Sequence, residues 1–349
     1  MDKANRGNFF EDFSVGQTFR HATPKTLSNG DQALYTALYG SRFAINQSEE
    51  FAKAVGFAKA PLDDLLVFHV VFGKTVADIS LNAIANLGYA DCRFLKPVFA
   101  GDTLCAESEI IGLKENSDGK SGTVYVRSKG VNQRGETVLD YARWVMVRKK
   151  QHGAAAKHAS VPRLPEAVEA GGLGGGCPSI NAKAWDGTLA GSSQRQQDYQ
   201  TGERNDHIDA VTVEEAEHMM ATRLYHNTAR VHFNALEEKR GRFGRRIVYG
   251  GHVMSIARAL SFNGIANGFH IAAINGGRHL APLFAGGTVY AWSLIKDTRR
   301  LEGRDDVGAL RIVTTATRDL PAGEYPTRAP TGDGPGVILE LDYWVLMPL

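Results

Sequence analysis

The order of hydrophobic and polar positions separates helix from strand along most of the chain. From Pro61 to Leu81 the sequence is hydrophobic nearly all round and too long for one strand, so a buried helix is expected there. Ahead of it, Ser28 stands where an N-cap would start a helix reaching about Tyr39, and Ser48-Glu-Glu-Phe-Ala-Lys-Ala-Val opens a short one. Behind it come β-type runs at Ala90–Lys96, Thr103–Leu113, Thr123–Lys129 and Thr137–Val147. The last two are joined by Asn132-Gln-Arg-Gly135, a plausible hairpin turn. The same order then returns, with a central helix over Ile247–Asn263 and strands near Thr288–Ile295, Ala309–Ala316 and Val337–Leu346. A buried helix followed by antiparallel strands predicts an α+β fold in which a curved sheet wraps the helix, built twice and paired side by side.

The residues themselves repeat as well. Arg93-Phe-Leu-Lys-Pro-Val-Phe-Ala-Gly-Asp-Thr-Leu104 recurs as Arg278-His-Leu-Ala-Pro-Leu-Phe-Ala-Gly-Gly-Thr-Val289. Phe13-Ser-Val-Gly16 matches Tyr199-Gln-Thr-Gly202, Tyr39 matches Tyr225, and Trp144-Val-Met answers Trp344-Val-Leu. The chain therefore reads as a duplication, with halves at 1–150 and 191–349 and a joining stretch at 151–190. Nearly half of that stretch is Gly, Ala or Pro, including Gly171-Gly-Leu-Gly-Gly-Gly176. Backbone entropy opposes packing it as a regular element, so a linker is expected. A phosphate-cradling loop would need a strand before it and a helix after it, and the flanks suggest neither.

Composition narrows the class of function. Among 349 residues, 40 Lys+Arg against 38 Asp+Glu leave a formal charge of +2, which implies neither nucleic acid nor an anionic membrane as partner. Three cysteines, Cys92, Cys105 and Cys177, with no CxxC pair exclude a disulfide framework and a cysteine zinc site, and fit a reducing cytoplasm. The N-terminal MDKANRGNFFEDF has no secretory apolar region, and the most apolar stretch, Leu65–Phe72, is too short to span a bilayer. A soluble cytoplasmic protein is expected.

Two loops and the paired segments carry a family resemblance. Tyr39-Gly-Ser-Arg-Phe-Ala-Ile-Asn46, Tyr225-His-Asn-Thr-Ala-Arg-Val-His232 and the R-x-L-x-P-x-F-A-G-x-T segments resemble the MaoC-type hydratases, over essentially the whole chain outside the linker. The resemblance implies tandem hotdog domains and hydration of an enoyl-CoA thioester, with no cofactor or metal required. It is nearest to members acting on a branched C5 dicarboxylic enoyl-CoA. The family motif reads roughly Gly-Asp-x-Asn-Pro-Leu-His. In the second half its His is kept as His232, while its Asp position holds Asn227, an amide that can orient water but cannot act as a base. In the first half the two positions are Ser41 and Asn46, so that half is expected to be catalytically silent and to bind the acyl group.

The resemblance also implies a glycine where the central helix begins, its N–H polarising the thioester carbonyl. Tyr249-Gly-Gly-His252 supplies it, with Gly251 at the matching position and Tyr249, Gly250 and His252 as neighbouring substrate contacts. The first half has Leu65 there, after Asp63-Asp64, which read as first-turn acids or, alternatively, as one acid facing the site. A second substrate carboxylate calls for arginine, and Arg42 and Arg230 lie in the two motif loops. The run Lys239, Arg240, Arg242, Arg245 and Arg246 is a candidate for the CoA phosphates or a solvated loop.

Plainer readings stand beside these. His232 also reads as a structural histidine, Asn227 as a turn cap, Gly250-Gly251 as a turn leading into the helix, His252 as a polar filler. The partner expected is a CoA thioester; a monomer and a homodimer both fit. Rival functions are a hydratase of ordinary fatty enoyl-CoA, a hotdog thioesterase, and a non-catalytic acyl-CoA binder.

Overall fold

The computed structural model describes residues 3–153 and 159–349. Helix α1 (Asn29–Tyr39) starts as its sequence suggests: Ser28 Oγ accepts the Asp31 amide while the Asp31 carboxylate takes the Ser28 N–H. Gly40 ends it in the left-handed conformation. Helix α2 (Asp64–Thr75) has Asp63 as N-cap through the Leu65 amide, and every residue from Leu65 to Thr75 is buried, which is why its sequence shows no polar face. Its C-terminal end widens into a π-helical turn, Val76–Ser80. The second half supplies α3 (Glu215–Leu224) and α4 (Gly250–Leu260) at matching places.

The strands of the first half are β1 (Thr18–Thr26), β2 (Ala83–Phe94), β3 (Thr103–Glu115), β4 (Ser121–Val131) and β5 (Thr137–Arg148). Those of the second are β6 (Arg204–Thr212), β7 (His270–His279), β8 (Thr288–Arg300), β9 (Val307–Arg318) and β10 (Gly336–Pro348). They form one ten-stranded antiparallel sheet in the order β1-β3-β4-β5-β2-β7-β10-β9-β8-β6, which reads the same from either edge. The seam between β2 and β7 is short, with Tyr89 opposite Gly277 and Cys92 opposite Ile274. Helices α2 and α4 lie together against the sheet and share its main core. Tyr35 and His69 of the first half both bond Ser255 of α4, at 2.9 and 3.0 Å.

Edge strands β1 and β6 went unforeseen, because the apolar alternation that marks a half-buried strand is missing from them. Their one buried position in each case is a histidine, His21 or His207, held by hydroxyls and neighbouring oxygens.

The stretch 151–190, expected as a linker, packs against the halves. It is irregular, with 3-10 turns at Ala170–Gly176 and Ala182–Ala184, yet it buries Val168, Leu173, Cys177, Ile180, Trp185 and Ala190 in a second core with Phe51, Phe57 and Phe269. Side chains replace the missing ladder bonds. Arg304 donates to the carbonyls of Gly174, Cys177 and Pro178, and Asp306 accepts the Ile180 amide. Residues 154–158 of this stretch lie outside the described residues. Among the described residues, no helix is long and apolar enough to cross a membrane.

Candidate active site

The loop after α3 is shaped by its own backbone. His226 takes a left-handed conformation, the Asn227 amide returns to the Thr222 carbonyl, and Asn227 Oδ1 accepts the Ala229 amide at 3.0 Å. That turn delivers the 3-10 segment Arg230–His232. Asn227 is thus a turn cap through its oxygen, and its Nδ2 makes no hydrogen bond among the described residues. The loop is backed by α2 of the first half: a Cβ on Gly73 would stand 1.9 Å from the Tyr225 carbonyl oxygen, so only glycine allows this approach.

His232 is 8% exposed, its ring set edge-on against Tyr249 at 5.6 Å. Its Nδ1 lies 3.0 Å from the Ile247 carbonyl oxygen. A carbonyl only accepts, so Nδ1 carries the hydrogen and the lone pair is on Nε2. Nε2 makes no hydrogen bond among the described residues. Burial pushes the imidazole down to about 4, against the partial opposition of the Ile247 carbonyl. The ring is therefore neutral near pH 7, with an accepting nitrogen unoccupied.

Beside it, α4 begins without a side-chain cap, and the amides of Gly250 and Gly251 make no hydrogen bond among the described residues. The two glycines let aromatic rings close on this helix end. A Cβ at Gly251 would lie 2.4 Å from the Tyr249 ring and 2.5 Å from that of His69, and one at Gly250 would lie 2.5 Å from that of His279. Burial holds His69 at about 3 and His279 at about 4. All three imidazoles here are neutral, so no cation competes for negative charge at the positive end of the helix. A base with a free lone pair next to uncapped helix amides suits addition of water to a conjugated carbonyl and stabilisation of the enolate oxygen.

The structure does not bring all the expected residues together. Arg230 is exposed on the turn leading to His232. Arg42 is exposed and stacks over Phe262 at 4.7 Å, beyond the C-terminal end of α4, whereas His232 packs at the N-terminal end. A helix of 11 residues spans about 16 Å, too far for a shared small substrate. His252 is 1% exposed and bonded to the Tyr39 hydroxyl, itself bonded to Tyr225. Its Nδ1 is thus engaged inside the core.

Asp63 and Asp64 also face elsewhere. Asp63 caps α2 and accepts from Ser41 at 3.2 Å, with burial, then the neighbouring Asp64, pushing it up to about 6. Asp64 pairs with His270 at 3.0 Å and accepts the Ile271 amide. In the basic run, Arg246 is spent on Glu215 and Arg245 on Asp333 while covering Phe284, which leaves Lys239, Arg240 and Arg242 exposed.

The first half keeps the shape of a site without its chemistry. Asn46 donates to the Pro61 carbonyl at 3.1 Å, and Leu65 fills the place of Gly251. A cavity lies there, lined by Asn46, Asp64, His270 and Cys177, but its volume of about 10 Å³ admits a water and no acyl group. Gly176 and Cys177 of the joining stretch close it.

Sequence reasoning missed His69, His279 and Arg143. Their signal lies where the two halves disagree: Ser255 stands opposite His69, Phe94 opposite His279, and Tyr343 opposite Arg143.

Comparison with known proteins identifies the family. The sequence matches the family described as mesaconyl-CoA hydratase over residues 1–325. The chain belongs to that family. A curated relative, the beta-methylmalyl-CoA dehydratase of Chloroflexus aurantiacus, is 58% identical over 348 residues, covering 99% of this chain and 98% of the relative. The mesaconyl-CoA hydratase of Cereibacter sphaeroides is 54% identical over 351 residues and 99% of each. A solved structure described as a MaoC domain dehydratase from Chloroflexus aurantiacus superposes with a TM-score of 0.96 at 58% identity, covering 100% of this chain and 99% of that one. A double-hotdog protein of Mycobacterium tuberculosis, at 23% identity and a TM-score of 0.73, covers 98% of this chain and 99% of its own and shares the fold. The wrapped-helix halves of this family member are therefore hotdogs in tandem, and the fold is the MaoC-like double hotdog.

Proposed function

We propose that this chain is a hydro-lyase that reversibly adds water to mesaconyl-CoA (2-methylfumaryl-CoA), giving β-methylmalyl-CoA. The observation that carries the reading is the free Nε2 of His232, its ring fixed through Nδ1 by the Ile247 carbonyl, beside the uncapped start of α4. In this mechanism Nε2 takes a proton from a water, and the oxygen attacks the substrate carbon β to the thioester. The electron pair of the C=C bond moves onto the thioester oxygen, which receives hydrogen bonds from the Gly250 and Gly251 amides. The enolate collapses as the imidazolium returns the proton to the α-carbon, so one water is added and nothing else changes. Asn227, in the place of a family carboxylate, orients the water through its free Nδ2. His232 acts as a weak base whose basicity rises as enolate charge develops nearby. Arg230 and the exposed members of the 239–246 run approach the CoA portion.

The two halves supply within one chain the pair of hotdogs that flank the site, so the chemistry needs no second copy; a homodimer would add to this pairing rather than create it. The three cysteines, all unpaired, accord with a cytoplasmic setting.

The test is loss of enoyl-thioester absorbance with mesaconyl-CoA, crotonyl-CoA in parallel, and a His232→Ala variant. Fast hydration of mesaconyl-CoA, lowered about 10²- to 10⁴-fold in kcat by the variant, is expected for a general base. A fully active variant would refute the assignment of His232. Preference for crotonyl-CoA would move the substrate to the fatty-acyl class.

A further inference from the structure

A buried arginine in the first half has no counter-ion among the described residues. Arg143 of β5 is fully buried, yet among the described residues its guanidinium meets no carboxylate. Its partners are neutral oxygens: Thr75 Oγ1 at 2.9 Å, and Ser80 Oγ and Asn86 Oδ1 both at 3.4 Å. Its Nε–H is buried without any partner. The face of Phe72 lies 4.4 Å from the guanidinium carbon. A cation taken out of water with so little return is costly, and the folded chain keeps such groups where an anion or a function repays the cost.

The fold itself does not ask for an arginine there. At the matching position of β10 stands Tyr343, in the same register: Arg143 pairs with Tyr89 and Val126, and Tyr343 with their counterparts Ile274 and Ile312. Tyr343 is equally buried and satisfied by one bond to Thr314 at 3.0 Å. The charge is a departure confined to one half.

The departure is linked to the site through two packed rings. Phe72, which carries Arg143 on one side, packs against Tyr249 at 5.7 Å, and Tyr249 packs against His232. Tyr89 joins the cluster, in contact with Phe72 and with His279, whose ring lies on Gly250. The two hydroxyls that accept from Arg143, on Thr75 and Ser80, bracket the π-helical turn at the end of α2, an element often placed where a helix must adapt to a ligand.

We infer that Arg143 is the receptor for the free carboxylate of the substrate, bonding it through the unpartnered Nε–H and so selecting a dicarboxylic acyl group over a neutral one. The inference rests on the hydratase reading above. In mesaconyl-CoA the free carboxylate is attached to the carbon that water attacks. Its negative charge opposes both the attack and the enolate that follows, so a guanidinium bound to it lowers the barrier as well as fixing the acyl group. The first half then contributes the acyl recognition and the second half the base and the enolate donors.

The experiment compares Arg143→Met with the parent on mesaconyl-CoA and on tiglyl-CoA, the same skeleton with a methyl in place of the free carboxylate. Folding is followed by thermal melting. Losing a buried charge-assisted bond predicts a fall in kcat/KM for mesaconyl-CoA of about 10²- to 10³-fold, with tiglyl-CoA hydration unchanged or improved. An equal fall on both substrates, or no fall on either, overturns the proposal. If Arg143→Met does not fold, Arg143→Lys carries the test, because it keeps the charge but loses the Nε donor. A raised KM for mesaconyl-CoA alone supports the proposal, and equal effects on both substrates overturn it. A parent enzyme that ignores mesaconyl-CoA but hydrates tiglyl-CoA removes the hydratase reading's substrate and this inference together. A parent active on mesaconyl-CoA with an indifferent variant removes only the inference.

Discussion

With His232 as the proposed base, its protonation sets the acid limb of activity. Its ring is 8% exposed and is held neutral down to about pH 4, against about 6.5 for an ordinary imidazole. A displacement of roughly two and a half pH units corresponds to about 3 kcal/mol against protonating the ring in the fold. At pH 5.5 an ordinary histidine would be about nine-tenths protonated, and activity depending on its lone pair would be about tenfold down. His232 should instead remain almost wholly neutral there. The assay is kcat/KM for mesaconyl-CoA between pH 4.5 and 8.5, with a His232→Asn variant as background. A profile flat from pH 8 to about 5.5, bending below pH 5, is expected. A break centred near 6.5 would refute the burial argument. The stability sign follows the same shift. Between pH 6.5 and about 4 the unfolded chain binds a proton at this ring that the folded chain does not, so the folded state loses up to about 3 kcal/mol as pH falls through that window.

Other expectations are more local. Gly251→Ala places a methyl within 2.5 Å of both the Tyr249 and His69 rings; overpacking of about 1–3 kcal/mol should outweigh the better helix propensity of alanine, and urea melts would read a net loss. An unchanged or higher midpoint would show that the rings yield freely. Trp185→Ala removes a ring packed on Phe51 and Phe269 and its bond to Asn267, so a loss of about 3–5 kcal/mol is expected, although this residue lies in the stretch between the halves. A loss under 1 kcal/mol would return that stretch to the status of a passive tether. Asp63, raised to about 6, binds a proton in the fold between pH 4 and 6 that the unfolded chain has released, so the parent loses stability as pH rises through that window. Asp63→Asn lacks this loss, and its melting temperature relative to the parent should climb from pH 4 to pH 7; a constant difference would contradict the raised value.

The large features of the fold could be read from the sequence because each rests on one strong signal. The all-apolar run over α2 reports a helix buried on every face, and the repeated Arg93 and Arg278 segments report the duplication. Strands β1 and β6 escaped because an edge strand with one buried polar residue leaves no periodicity to see. The packing of the joining stretch leaves no sequence signal for a related reason. Leu173, Ile180 and Trp185 are too sparse to form a pattern, and the groups that anchor them, Arg304 and Asp306, lie more than a hundred residues away. In the site, the loop and helix-start residues were visible as motif positions, His232 and Gly251 above all. Where Arg42 lies could not be read, since sequence proximity to a motif says nothing about which end of α4 a side chain meets. Arg143 was passed over because an arginine inside a strand looks like an outward-facing charge until its register shows it pointing into the core.

The short seam between β2 and β7 has a consequence for how this molecule can change. In a two-fold pair of identical chains every substitution is written twice, and a mutation that helps one cleft is imposed on the other. Here the two halves are separate stretches of one gene product. Leu65 can seal one helix start while Gly251 opens the other, and Arg143 can carry a buried charge while Tyr343 does not. Joining the partners end to end gives up a second cleft and gains an independent set of residues with which to shape the one that is left.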